Sequence, residues 1–118
     1  MSEYLLLIYT DQSKRADLGP DDYAALHADY VAITQAMNDA GVNRGGNPLE
    51  GPETAKTVGH GGLVTDGPFA EVTEVLGGYY LVDVADQDEA IAWAAKLPGV
   101  TRGWDRIEVR PIMPFMME

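Results

Sequence analysis

The chain has 118 residues, a net charge of −11 and no cysteine. This length fits one domain, which we take to span residues 1–118. The lack of cysteine excludes disulfides, thiolate nucleophiles and cysteine-based metal sites. The acidic surface repels phosphate backbones, so we expect no nucleic-acid partner. The longest apolar run, residues 5–9, is far shorter than the ~20 residues of a membrane span, and no signal peptide is recognisable at the N-terminus. We therefore expect a cytoplasmic protein without a membrane partner.

The first predicted element is a strand over residues 4–10. Its sequence, YLLLIYT, does not alternate polar with apolar residues, which indicates that both faces are buried. In a chain of this length, one layer of helices covers only one face of a sheet. A second copy of the chain is the simplest cover for the other face, so the sequence predicts a homodimer. We expect Tyr4→Asp or Leu6→Asp to weaken that dimer.

A helix is predicted to begin at Pro20 and to end at Gly41. Proline suits the first helical turn, and Asp21 and Asp22 suit the positive end of the helix dipole. Glycine is the common residue just past a helix C-terminus. Apolar residues recur at spacings of three and four, which defines one buried face: Tyr23, Leu26, Tyr30, Ile33, Met37 and Ala40.

The middle of the chain is rich in glycine and predicts short strands. One lies within residues 42–52, where Gly45 and Gly46 indicate a bulge or a close approach by another group. Two more, residues 54–58 and 63–65, are joined by the turn Gly59-His60-Gly61-Gly62. Asp66 then begins a further turn.

The last third predicts a strand, a helix and a strand. The strand over residues 77–83 alternates between two faces, one with Tyr80, Val82 and Val84 and the other with Tyr79, Leu81 and Asp83. Asp86 and Glu89 have the spacing of a capping box at the start of the helix. We expect four residues on its buried face, namely Ala90, Ile91, Ala94 and Leu97. Residues 98–99 end it, and a last strand spans 106–110.

Two strand–helix–strand units around one antiparallel sheet are typical of the ferredoxin-like α+β fold. The motifs DGPF (66–69), LGGYY (76–80), DEAIAWAA (88–95) and EVRP (108–111) occur in this order. In these motifs the chain resembles the YCII-related proteins of the DGPF type. The resemblance implies helices on one face of the sheet and a dimer formed by sheet-to-sheet packing, as in dimeric α/β barrels.

The resemblance implies little about activity, because most such proteins have no assigned reaction. A related branch of the family includes a dehydrochlorinase of a chlorinated hydroxyquinol, which is thought to use a His–Asp pair. The same general fold hosts cofactor-free monooxygenases. Fold alone does not define function, so these are analogies.

His27 and Asp66 are the candidate catalytic residues. His27 lies on the flank of the apolar stripe of the first helix, where a histidine could act as a general base. The alternative is a half-exposed histidine without a role. Asp66 could orient His27, or its carboxylate could only accept backbone hydrogen bonds in its turn.

Four residues are candidates for ligand binding. Arg44 beside Gly45 and Gly46 could hold an anionic group, although these glycines also suit a bulge. Aromatic residues could stack on an aromatic ligand, although such residues more often belong to a core or an interface; the candidates are Tyr23, Phe69 and Tyr79. We expect no cofactor and no metal, since the two histidines lack any ligand spacing and His60 suits an exposed turn.

Three functions remain open from the sequence. The first is a dimer that binds a small molecule in a cleft between helix and sheet. The second is a cofactor-free enzyme, similar to a lyase, a dehydrochlorinase or a monooxygenase, that acts on a phenolic compound with His27 and Asp66. The third is a protein-interaction module, for which we would expect no cleft. A serine hydrolase is excluded, because no GxSxG motif is present.

Overall fold

The computed structural model describes residues 1–68 and 73–114. In this part of the chain the elements follow in the order β1 (Ser2–Asp11), α1 (Pro20–Asp39), β2 (Asn43–Pro48), β3 (Lys56–Val58), β4 (Val64–Asp66), β5 (Glu74–Val84), α2 (Gln87–Ala95), α3 (Pro98–Thr101) and β6 (Asp105–Pro111). Short 3-10 helices cover Gln12–Arg15, Pro52–Thr54 and His60–Gly62. No helix among the described residues is long and apolar enough to cross a membrane.

The main sheet has four strands in the order β2-β5-β1-β6, and every neighbouring pair is antiparallel. With α1 after β1 and α2 after β5, this order is that of the ferredoxin-like fold. The predicted α+β class is therefore confirmed. The strands β3 and β4 form a separate two-stranded hairpin, closed by the predicted turn at residues 59–62.

Strand β1 lies inside the sheet, which explains its continuous apolar sequence. The helices cover the face with Leu6, Ile8 and Thr10, all of which are buried. The opposite face carries Leu5 and Leu7, which are half-buried. Leu6 has no exposure and lies in the core with Tyr4 packed beside it. An aspartate at either position would therefore disturb the core and would not test a contact through the open face. The sequence could not assign the faces, because both are apolar.

The two predicted helices are present. Helix α1 begins at Pro20 and ends at Asp39, with Gly41 just beyond it, as predicted. Asp86 caps α2, because its carboxylate accepts a hydrogen bond from the backbone N–H of Glu89 at 2.9 Å. The expectation that Ile91 is buried was wrong, since it is 50 % exposed. Helix α2 packs instead through its small residues Ala90 and Ala94, and Pro98 begins the short helix α3.

Strand β2 shows both features that its glycines indicated. The register of its pairing with β5 shifts between Asn43 and Gly45, which is a bulge. A Cβ atom at Gly46 would lie 2.6 Å from the carbonyl oxygen of Tyr79, so the backbones approach too closely for a side chain. These glycines let β2 lie at the edge of the sheet beside α1.

Candidate functional site

A cleft of about 1180 Å³ lies between α1 and the sheet. Residues of α1 form one wall, and residues of β2 and the chain just after it form another. The inward-facing positions of β1 and the first half of β5 complete the lining, among them Ile8, Thr10 and Val75. The cleft therefore lies on the helix-covered face, where the sheet extends beyond the tightly packed core.

The wall on α1 is built by residues at helical spacing. Tyr23, His27, Tyr30 and Thr34 all line the cleft, and their intervals of four, three and four place them on one side of the helix. Tyr23 is 47 % exposed, whereas Leu26 and Met37 of the same helix are buried. Part of the apolar stripe predicted as core therefore faces the cleft instead.

The cleft also presents a hydroxyl pair that bridges helix and sheet. The side-chain oxygens of Thr34 and Tyr80 lie 2.7 Å apart, within hydrogen-bonding distance. Both residues line the cleft and both are half-buried. Hydroxyl groups can donate and accept, so this pair could orient a polar group of a ligand.

A cluster of Arg15, Asp105 and Tyr30 lies beside the cleft. Nη2 of Arg15 donates to both carboxylate oxygens of Asp105 at 3.0 Å, and the side chain of Asp105 has no exposure. The hydroxyl of Tyr30 also donates to Asp105, at 3.4 Å. Arg15 and Tyr30 line the cleft themselves. The buried carboxylate of Asp105 therefore holds two cleft residues, Arg15 and Tyr30, in one arrangement.

The phenol of Tyr30 holds its proton more strongly than an exposed tyrosine. Burial is the main cause and the negative charge of Asp105 adds to it, so the pKa of Tyr30 rises from 10.0 to about 12. The Gly99 backbone and the Arg15 charge oppose this rise. Tyr30 is consequently a neutral hydrogen-bond donor over the whole physiological pH range.

Two neighbours fix this cluster in place. A Cβ atom at Gly99 would lie 1.8 Å from Oδ2 of Asp105, so only glycine leaves room for the carboxylate. The guanidinium carbon of Arg15 lies 5.7 Å from the centre of the Trp104 ring, and that of Arg102 lies 5.6 Å from it. Both distances are in the range of cation–π contacts. Arg15 is thus held at one edge by a carboxylate and supported by an aromatic ring.

The structure brings only some of the predicted site residues to this cleft. His27 and Tyr23 line it. Asp66 is in the β3–β4 hairpin, where its side chain is 88 % exposed and accepts from Nζ of Lys56 at 2.5 Å. Within the described ranges, no hydrogen bond joins Asp66 to His27. Their proposed pairing therefore remains a prediction.

The other predicted ligand-binding residues either do not line the cleft or lie outside the residues that the structure describes. Nη2 of Arg44 is 3.3 Å from Oδ2 of Asp83, and Arg44 is not among the residues that line the cleft. The hydroxyl of Tyr79 accepts from Nδ2 of Asn47 at 3.1 Å, on the side of β5 opposite the cleft residue Tyr80. Phe69 lies outside the described residues.

Sequence reasoning did not identify Arg15 and Asp105 as site residues. They are 90 positions apart and neither belongs to a motif. The available signal was weak: Asp105 stands at the start of an alternating strand, where a buried carboxylate needs a partner. Among the described residues, no group of three or more His, Cys, Asp and Glu side chains is placed to hold a metal ion.

The strand order and the cleft under α1 define a ferredoxin-like α+β domain. The chain belongs to the family of the YCII-related domain, whose model matches residues 2–116. It is 32 % identical over 112 residues to an uncharacterised protein of Rhizobium meliloti (strain 1021), and this match covers 92 % of the chain and 90 % of that protein. The family resemblance expected from the DGPF and related motifs is confirmed.

Proposed function

We propose that this chain is a homodimeric domain that binds a small organic molecule in the cleft between α1 and the sheet. The observation that carries the proposal is the size and lining of the cleft. Its volume of about 1180 Å³ is large enough for a small organic molecule, since small-molecule sites typically measure roughly 300–1,000 Å³. Tyrosine rings and aliphatic side chains line it together with many polar side chains, so that it can contact both the apolar and the polar groups of a ligand.

The dimer part of the proposal is supported by the face of the sheet that the helices leave open. Leu5 faces Leu81 across one strand pair, and Leu7 faces Tyr79. Tyr9 extends the same row, and all five side chains are half-buried in the single chain. On β6 this apolar row is bordered by the charged residues Arg106, Glu108 and Arg110. An apolar patch with a polar rim is typical of a protein–protein contact, and a second copy would present the identical surface.

Binding can be tested by titrating ¹⁵N-labelled protein with a panel of small aromatic and phenolic compounds. We expect the largest chemical-shift changes at cleft residues such as His27, Thr34 and Gly78. The variant Val31→Trp places a large ring at an exposed cleft position and should weaken binding. Ala28→Trp is the matched control, because Ala28 is also exposed on α1 but does not line the cleft. Chemical-shift changes confined to residues outside the cleft would contradict the proposal.

A cofactor-free enzyme that acts on a phenolic compound is the second candidate. It is favoured by His27, a possible general base in the lining of the cleft. A turnover screen with phenolic compounds tests it, with His27→Gln expected to lose any activity found. His60→Gln is the control, because His60 lies in the hairpin turn away from the cleft. Loss of activity in Asp66→Asn as well would support a His27–Asp66 pair, and unchanged activity would exclude it.

A further inference from the structure

Arg15 places a guanidinium in the lining of the cleft, with its charge balanced by the Asp105 carboxylate. Among the described residues that line the cleft, it is the only lysine or arginine, and Glu50 is the only carboxylate. The chain as a whole carries a net charge of −11, which disfavours the approach of an anion. Salt screens that overall field beyond about 10 Å, so a cation in the lining can still select an anionic group.

The geometry of Arg15 leaves one donor edge uncommitted. Nη2 makes both hydrogen bonds to Asp105. Nη1 has no hydrogen-bond partner in the part of the chain that the structure describes, and it is accessible to solvent. Nε also has no partner there, but it is buried. Asp105 is not in the cleft lining, so it holds Arg15 from behind and does not occupy the cleft.

The guanidinium is also held in position before any ligand arrives. Asp105 fixes one nitrogen at 3.0 Å, and the Trp104 ring lies 5.7 Å from the guanidinium carbon. A planar guanidinium fixed in this way loses little side-chain entropy when it binds an anion. Arginine–carboxylate hydrogen bonds are about twice as strong as those between neutral groups.

We propose that Nη1 of Arg15 binds the carboxylate of the ligand, so that the cleft selects an organic acid with an aromatic or apolar body. This inference rests on the function proposed above and names its ligand class. The body of such an acid would lie against the apolar part of the lining, which includes Tyr23, Leu26 and Val31. The acid would keep its charge, because an arginine beside a carboxylate favours the ionised form.

The test compares benzoate with benzamide, which has nearly the same shape but no charge, by ¹⁵N–¹H chemical-shift titration near neutral pH. Benzoate is expected to bind at least about tenfold more tightly, since that is the effect of one charge-assisted hydrogen bond. Its affinity should fall with added salt, and that of benzamide should not.

The double variant Arg15→Gln/Asp105→Asn removes both charges together, so that no buried carboxylate is left unpaired. It should lose the preference for benzoate, so that the ratio of the two affinities falls to about one. Arg102→Gln is the matched control, because Arg102 contacts the same Trp104 ring but does not line the cleft. It should keep the preference.

The outcomes separate the two proposals. Equal affinity of the wild type for benzoate and benzamide, with both in the cleft, would overturn the ligand class and leave small-molecule binding intact. A preference for benzoate that survives in the folded double variant would overturn the role of Arg15. Absence of cleft shifts with either probe would count against both proposals.

Discussion

Arg15, just after β1, and Asp105, at the start of β6, are joined through one nitrogen atom. Nη2 of Arg15 lies 3.0 Å from each carboxylate oxygen of Asp105. The two side chains differ in exposure, 22 % for Arg15 and none for Asp105. Because of this difference, the buried carboxylate depends more on the ion pair than the partly exposed guanidinium does. A guanidinium that loses its partner can still reach water or the cleft, whereas the carboxylate cannot.

We therefore predict that Arg15→Gln costs more stability than Asp105→Asn. Removal of the arginine leaves a buried charge unpaired, with an expected loss of about 3 kcal/mol, and Asp105→Asn should cost about 2 kcal/mol. The double variant should cost less than the sum, because the two residues form one unit. Urea unfolding measures all three. The control Arg102→Gln breaks an ion pair with the exposed Asp29 and should cost less than about 1 kcal/mol. If Arg15→Gln lowers the free energy of unfolding by no more than this control, the prediction is wrong.

Gly99→Ala should destabilise the fold through Asp105. The added methyl group would lie 1.8 Å from Oδ2 of that carboxylate, and overpacking of this kind costs about 1–3 kcal/mol. Gly59→Ala is the control, since a Cβ there would have its nearest neighbour at 3.9 Å and Gly59 has a φ of −112°. In an Asp105→Ala background the Gly99→Ala effect should shrink, because the clashing atoms are gone. An unchanged effect would show that another contact causes the loss.

The stability of the protein should decline in alkaline solution partly because of Tyr30. Its pKa is raised to about 12 in the folded state from an ordinary value of 10.0. Below that ordinary value both states hold the proton and the contribution of Tyr30 is complete. As the pH rises further the unfolded state loses the proton first, so the folded state loses stability up to the folded pKa.

Urea unfolding at a series of alkaline pH values checks this, with Tyr30→Phe as the comparison. The variant should show a shallower decline between the two pKa values, because it has no phenol to ionise. Tyr23→Phe is the control from the same helix and the same cleft, with a side chain 47 % exposed. If the free energies of unfolding of the wild type and Tyr30→Phe fall in parallel as the pH rises, the prediction is wrong.

The elements of this fold could be predicted because each carries a local pattern. The spacing of apolar residues and the proline in the first turn, Pro20, define α1, and the alternation after Gly77 defines β5. The two faces of β1 could not be distinguished, since Leu5 and Leu7 are as apolar as Leu6 and Ile8. Which face the helices cover depends on the chain beyond the strand, and no local signal encodes it.

The residues of the candidate site could also be predicted only in part from the sequence. His27 and Tyr23 could be found because they lie on one side of a predicted helix. Arg15 and Asp105 could not, because their pairing spans 90 positions and arises only when the 3-10 turn after β1 meets the start of β6. Asp66 is predicted to begin a turn, but that position does not fix what its carboxylate contacts, which here is Lys56.

The open face of the sheet leads to the prediction that Leu7→Asp converts the proposed dimer into a monomer. Leu7 lies at the centre of the half-buried row, between Tyr79 on one neighbouring strand and Glu108 on the other. A carboxylate there would be buried without a partner when two such faces pack together, which strongly destabilises the contact. The chain itself should still fold, because Leu7 lies outside the core beneath the helices.

Sedimentation equilibrium over a range of protein concentrations measures the mass of each variant. Ile91→Asp is the matched control: Ile91 is an aliphatic residue 50 % exposed on α2, away from the open face. It should leave the mass of the dimer unchanged. A wild-type protein that is monomeric at every concentration would exclude the dimer, and a dimeric Leu7→Asp would place the contact on another surface. Circular dichroism of both variants shows that a change in mass is not a result of unfolding.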